Sequence, residues 1–291
     1  MSDLSQLTED FLNDLKLQGG SIKTIVAYRG HLRRFINWCE DNNVDFRSVT
    51  ARQIKHFRNF IGKNPNLSKS TINMVIYATK AFYDYLIEDN VVPSNPVITK
   101  RLTVRMEEKP PRFLTDEELT IISEAIEKSP SRLEFRTMLC TGLRVGEICA
   151  LLPQDVVLIE QRVFLRVTNG KGGKGRYVPV TDQKVAEELL SLKKSKKEQL
   201  TLFECPPARG KETLFGKTIR TLDRHAKVIA EETGIEFTPH RLRHTFATRL
   251  LNSGETLDVV QNALGHRNIQ TTRRYARTLP KAFFHLAARI G

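Results

Sequence analysis

Apolar residues recur along the first hundred positions at intervals of three and four, the spacing of one face of an α-helix. Leu4, Leu7, Phe11, Leu12 and Leu15 predict a helix over 3–17. Ser21 is placed to cap a longer one, whose inward side is predicted to carry Ile22, Ile25, Val26, Leu32, Ile36 and Cys39, with Lys23, His31 and Arg34 off that stripe. Thr50 opens a third helix with Ile54, Phe57 and Ile61 inward, and Ser68 or Ser70 a fourth with Ile72, Val75, Ile76, Phe82 and Leu86. Val91 to Pro96 closes this set. The pattern predicts a small all-α domain over 1–97, with Tyr28, Tyr77, Tyr83 and Tyr85 in its core or rim. Residues 98–112 are charged and end in prolines, and read as an extended linker. Its Lys100, Arg101, Arg105, Lys109 and Arg112 suit either a solvated tether or a strand laid along phosphates.

From 113 onward the pattern mixes. Thr115-Asp116-Glu117-Glu118 is an acid-rich helix start. A helix over 132–141 is predicted to end near Gly142, and the next, from Leu143, is stopped by Pro153. Residues 162–168 alternate like a strand, 169–175 (Asn-Gly-Lys-Gly-Gly-Lys-Gly) are a turn, and 176–180 are the return strand. The chain then reads as helical from 182 to about 233, with Lys193-Lys194-Ser195-Lys196-Lys197 as a solvated face. Thr238 followed by Pro239 is a capped helix start, with Leu242, Phe246 and Leu250 inward. A short helix carrying Leu257, Val260 and Leu264 follows, and Gly265 is placed to end it. The fold class is mainly α (α+β), with a small antiparallel sheet inside a mostly helical second domain over 113–291.

Charge narrows the partner. The 291 residues carry a formal charge of +13. Residues 1–112 hold 17 basic and 12 acidic side chains, and 113–291 hold 29 and 21, so both domains are basic. A polyanion is the first guess, and nucleic acid fits better than a membrane because no lipid-anchor signal is present. No apolar run is long enough to cross a bilayer, and the first residues lack a secretion signal. Cys39, Cys140, Cys149 and Cys205 are scattered, which suits a reduced, cytoplasmic protein.

The candidate chemistry gathers late in the chain. His240 and Arg243 stand three apart near a helix start, where free N–H groups favour an anion. His266 lies just past Gly265, and Tyr275 lies in the turn opened by Thr271-Thr272. Arg144 begins a helix beside a glycine bend, with Glu147 three residues on. These two are either a surface ion pair or an arginine aimed at an anion and steadied by Glu147. A hydroxyl to attack, arginines to hold oxygens and imidazoles to move protons suit a phosphodiester. His240 and His244 are spaced like zinc ligands, but Arg241 and Arg243 flank them and no third ligand is near, so no metal or cofactor is expected.

In order, Thr141-Gly142-Leu143-Arg144-Val145-Gly146-Glu147, Gly170-Lys171-Gly172, Pro239-His240-Arg241-Leu242-Arg243-His244, Leu264-Gly265-His266 and Thr271 to Tyr275 resemble the motifs of the tyrosine recombinase (phage integrase) family, in its short Xer-like branch. The resemblance spans nearly the whole chain. It implies a helical, SAM-like core-binding domain joined by 98–112 to a catalytic domain. It also implies strand exchange without a metal: Tyr275 attacks a DNA phosphate to give a 3′-phosphotyrosyl link. Arg144 and Arg243 clamp its oxygens, and Lys171 protonates the leaving 5′ oxygen. His240 takes the tyrosine proton, His266 hydrogen-bonds the phosphate, and Glu147 supports the site. Either hairpin lysine, Lys171 or Lys174, could reach the phosphate; Lys171 has the better motif match.

The implied partner is double-stranded DNA with an inverted-repeat core site, bound by a homotetramer. Phe283, Leu286, Ala287 and Ile290 predict an amphipathic helix over 281–290. It packs either on its own domain or on a neighbouring protomer. The roles spanned are integration or excision of a mobile element, cointegrate resolution and chromosome dimer resolution. Two rivals stand beside this reading: a non-enzymatic helix-turn-helix regulator using 243–265, and a DNA-relaxing enzyme of the type IB topoisomerase sort.

Overall fold

The structure is a computed structural model that describes residues 3–106, 111–168, 175–202 (backbone only from 197) and 213–265. Lys171, Lys174, Cys205, His266, Tyr275 and the helix expected over 281–290 lie outside these residues. The chain divides into two compact units, Met1–Glu108 and Lys109–Gly291.

In the first unit α1 (Asp3–Leu17), α2 (Ile22–Asp41), α3 (Ala51–Gly62) and α4 (Lys69–Glu88) enclose one aromatic-rich core. Ser21, Thr50 and Ser68 each accept a bond from the amide three residues on, a cap worth about 1 kcal/mol. The inward residues expected on α3 and α4 are all buried. On α2 the expected face holds in part, with Ile25 and Ile36 packed against the core. Ile22 and Val26 are 78% and 60% exposed, while Leu32, Phe35, Trp38 and Cys39 are buried. Phe35 and Trp38 pack on Phe57 of α3 at ring distances of 5.2 and 5.4 Å. Rings bury more area than Ile22 and Val26 could, so they set which side of α2 faces in.

Residues 99–104 fold against this unit instead of continuing as tether. The short helix α5 (Thr99–Leu102) packs on α4 with Leu102 buried. Asn73 then grips Val104 both ways: its Nδ2 donates to the carbonyl at 2.9 Å, and its Oδ1 accepts from the amide at 2.7 Å.

The second unit begins with α6 (Asp116–Lys128), α7 (Arg132–Thr141) and α8 (Val145–Ala150). An antiparallel sheet follows, in the order β1 (Val156–Ile159), β2 (Arg162–Val167), β3 (Arg176–Pro179). Val156, Leu165 and Val178 lie in register across it and are fully buried. β1 extends the expected hairpin by a strand. Its turn runs through Glu160 and Gln161, both with positive φ, and lacks the Asn-Gly signature that marks such turns.

The helices α9 (Gln183–Leu202), α10 (Ile219–Thr233), α11 (Pro239–Asn252) and α12 (Leu257–Leu264) complete the described part. Lys193 of α9 donates to the Val156 carbonyl at 2.7 Å, so the basic run is not wholly a solvated face. α11 lies along α7, and Gly142 makes that approach possible. Gly142 ends α7 at φ +64°, and a Cβ there would overlap the Phe246 ring and touch Leu264.

Candidate active site

Three arginines meet at the carboxy-terminal end of α12. The last carbonyls of a helix have no partner within it and carry the negative end of its dipole. Here Arg176 Nε donates to Ala263 O at 3.2 Å, Arg243 Nη2 to Leu264 O at 2.7 Å, and Arg144 Nη2 to Gly265 O at 3.3 Å. Gly265 stops the helix in the left-handed conformation, φ +63°.

Each arginine reaches this point for a local reason. Arg243 is the fifth residue of α11, just past the first turn; Thr238 caps this helix by accepting from Arg241 N, and Pro239 is at its first position. Leu242 is fully buried beside it. Arg243 is itself only 1% exposed, because its other arm donates to Gly142 O at 2.6 Å. It therefore joins the end of α7 to the end of α12. Arg144 is the residue just before α8, one position earlier than a first turn, and its backbone amide donates to Glu147 Oε2 at 2.8 Å. Arg176 opens β3.

Glu147 is the hub. Its Oε1 accepts from Arg144 Nη1 and Arg176 Nη1, and its Oε2 from the Arg144 amide and Arg176 Nη2, with the three side-chain bonds at 3.0 Å. Burial pushes its pKa up. The Arg176 fork, the Arg144 amide and both guanidinium charges outweigh that and hold it below the usual carboxylate range. Of the two readings of Arg144 and Glu147, a plain surface pair is thus too small: Glu147 is a nearly buried link between the start of α8 and β3.

His240 keeps an exposed edge and packs edge-to-face on His244, ring centres 4.4 Å apart. Partial desolvation first, then the charges of Arg243 and Arg144, hold its pKa below the ordinary histidine value. A neutral imidazole beside two guanidinium groups can accept a proton while the cations hold an anion. Among the described residues no group of three or more His, Cys, Asp or Glu gathers in a metal-binding cluster, and no helix is long and apolar enough to cross a membrane.

The structure brings Arg144, Glu147, His240 and Arg243 together; Lys171, His266 and Tyr275 fall outside the described residues. Arg176 was missed. Its signal in the sequence was slight: an arginine opening a strand just after a lysine-bearing turn.

The described cluster sets two guanidinium groups near an imidazole held neutral, on a helical scaffold with a small sheet. Residues 112–281 match the profile of the phage integrase family, and 7–92 match that of the phage integrase N-terminal SAM-like domain. The chain belongs to the phage integrase family, the tyrosine recombinases, which are DNA strand-exchange enzymes. It is 33% identical to the tyrosine recombinase XerA of Pyrococcus furiosus, over 95% of this chain and 91% of that one. It is also 33% identical to the tyrosine recombinase XerC of Halalkalibacterium halodurans, over 93% and 92%. The fold is similar to that of the XerH site-specific recombinase bound to palindromic difH substrate, at a TM-score of 0.76 and 22% identity, covering 99% of this chain and 85% of that chain.

Proposed function

We propose that this recombinase cuts and rejoins double-stranded DNA at a specific core site of inverted-repeat form. In this reading Tyr275 Oη attacks the phosphorus and His240 takes its proton. The bond from phosphorus to the 5′ oxygen breaks, and Lys171 supplies the proton that oxygen needs. Arg144, Arg243 and His266 hold the non-bridging oxygens, where charge builds in the transition state. The 3′-phosphotyrosyl link conserves the phosphodiester, so a 5′ hydroxyl from another strand can reverse the step and complete an exchange.

The observation that carries this reading is the convergence of Arg144 and Arg243 at the end of α12, with His240 close enough to feel both charges; His266 is the next residue in the sequence after Gly265. Solved relatives support the DNA partner, XerH bound to its difH substrate among them. The matches support neither the helix-turn-helix regulator nor the relaxing enzyme. A homotetramer is the assembly proposed for two synapsed sites. The 281–290 segment is the proposed contact between protomers, because its Phe283, Leu286, Ala287 and Ile290 need burial.

The test uses a duplex selected from a random-sequence pool by the full-length protein, then nicked beside the cleavage point so that rejoining fails. Wild type should accumulate a covalent protein–DNA adduct on denaturing gels. Tyr275→Phe should bind the same duplex and give no adduct, since only the attacking oxygen is lost. Adduct formation by Tyr275→Phe removes Tyr275 as the nucleophile.

A further inference from the structure

We propose that Arg176 is a positioning residue for cleavage: by neutralising Glu147 of α8, it leaves the Arg144 charge available to a DNA phosphate. The role rests on the recombinase reading above.

Two guanidinium groups meet one carboxylate in this cluster. Arg176 makes the stronger claim on Glu147. It presents a two-pronged fork, one Nη to each carboxylate oxygen, and its side chain is 17% exposed. Arg144 gives Glu147 one Nη and its backbone amide, and its side chain is 44% exposed. With both arginines present, the cluster keeps one net positive charge, on the more exposed member. Without Arg176, the half-neutralising partner is gone, and Arg144 becomes the carboxylate's remaining charged partner among the described residues. The two would close into a neutral pair, and a phosphate would have to compete with Glu147 for the same guanidinium.

The backbone is shaped around this arrangement. Arg176 Nε also holds Ala263 O, tying the charge balance to the helix end that leads to His266. The Arg176 guanidinium lies so close to Gly265 that a Cβ there would stand 2.7–3.0 Å from it. Gly265 therefore serves two needs, the left-handed turn and the room for Arg176. A bare strut between β3 and α12 would need neither a fork on Glu147 nor a second arginine on the same carboxylate.

The experiment compares full-length wild type with Arg176→Met, Arg176→Lys, Glu147→Gln and the Arg176→Met/Glu147→Gln pair on the selected nicked duplex. Binding is read by gel shift and cleavage by the rate of adduct formation. Arg176→Met should bind within about threefold of wild type yet cleave at least about tenfold more slowly. Arg176→Lys, which keeps the charge and loses the fork, should fall between. The pair should cleave faster than Arg176→Met alone, because removing the carboxylate charge restores the net positive charge at Arg144. Because the two residues touch, their effects need not add, so the rescue is read beside melting: faster cleavage by the pair, at a melting temperature no higher than that of Arg176→Met, separates charge balance from strutting. A pair no faster than Arg176→Met overturns the proposal, as does loss of binding as large as the loss of cleavage. If Arg176→Met and Arg176→Lys both melt below the assay temperature, Arg176 is a structural strut and the proposal also fails. Absence of any adduct from wild type sinks the recombinase reading and this role with it; adduct without rescue sinks this role alone.

Discussion

His240 is held in its neutral form by partial desolvation and by the charges of Arg243 and Arg144. The sign of the linkage follows. The folded protein binds fewer protons at this ring than the unfolded chain does just below the ordinary value, about pH 6.5. Its contribution to stability is therefore complete above that value and is lost as pH falls. The same shift keeps a proton acceptor ready at neutral pH. Replacing Arg144 by Gln removes one lowering charge and leaves burial and Arg243 in place. The ring's titration midpoint, followed by the NMR shifts of its C–H protons, should then move up toward the ordinary value without reaching it. An unmoved or lowered midpoint would mean that Arg144 does not act on His240.

At the scale of elements, α12 is held by its end as much as by its face. Val260 and Leu264 pack on Phe246 and Ala247, a small cluster apart from the main core. Three arginines hold its terminal carbonyls. They are unequal. Arg243 is buried and makes two short bonds, each worth about 1.5–3 kcal/mol for a charged donor. Arg144 is exposed, water can replace its longer bond to Gly265, and the Arg176 fork still pairs both oxygens of Glu147 when the Arg144 side chain is gone. Arg243→Ala should therefore lower the melting temperature clearly, whereas Arg144→Ala should leave it within a degree or two of wild type on the order expected for an exposed site. Equal melting losses would refute this division.

Legibility in the sequence tracked the same logic. α3 and α4 were readable because cap and stripe agree: Thr50 with Ile54, Phe57 and Ile61, and Ser68 with Val75, Ile76 and Phe82. The face of α2 is legible only in part: Leu32 and Cys39 are buried as expected, but apolar residues lie on more than one side, and the partner rings bury Phe35 and Trp38 rather than Ile22 and Val26. β1 was hidden because four apolar residues have no period and its turn has no glycine. Arg144, Glu147, His240 and Arg243 are legible as motif; Arg176 is legible only as a basic strand end. Its meaning depends on Glu147 and Ala263, 29 residues before it and 87 after it.

On the scale of the whole molecule, both parts of the chain are basic: residues 1–112 by 17 to 12 and residues 113–291 by 29 to 21. Each unit also has its own hydrophobic core, and the two clusters share no residue. The second unit, Lys109–Gly291, thus has a hydrophobic core of its own, the first requirement for folding alone. If both units hold DNA, as the recombinase reading requires, binding by one raises the local concentration of the other on the same duplex. Loss of the first unit should then cost more than its share of contacts. The isolated 109–291 fragment is expected to bind the selected duplex on the order of a hundredfold more weakly than the full chain near 0.1 M salt. Its affinity should also fall less steeply with salt, because fewer phosphates are neutralised and fewer counterions released. Fluorescence anisotropy across a salt series measures both quantities, and the melting curve of the fragment shows that it is folded. A folded fragment with the affinity and salt slope of the full chain would show that the first unit holds no DNA.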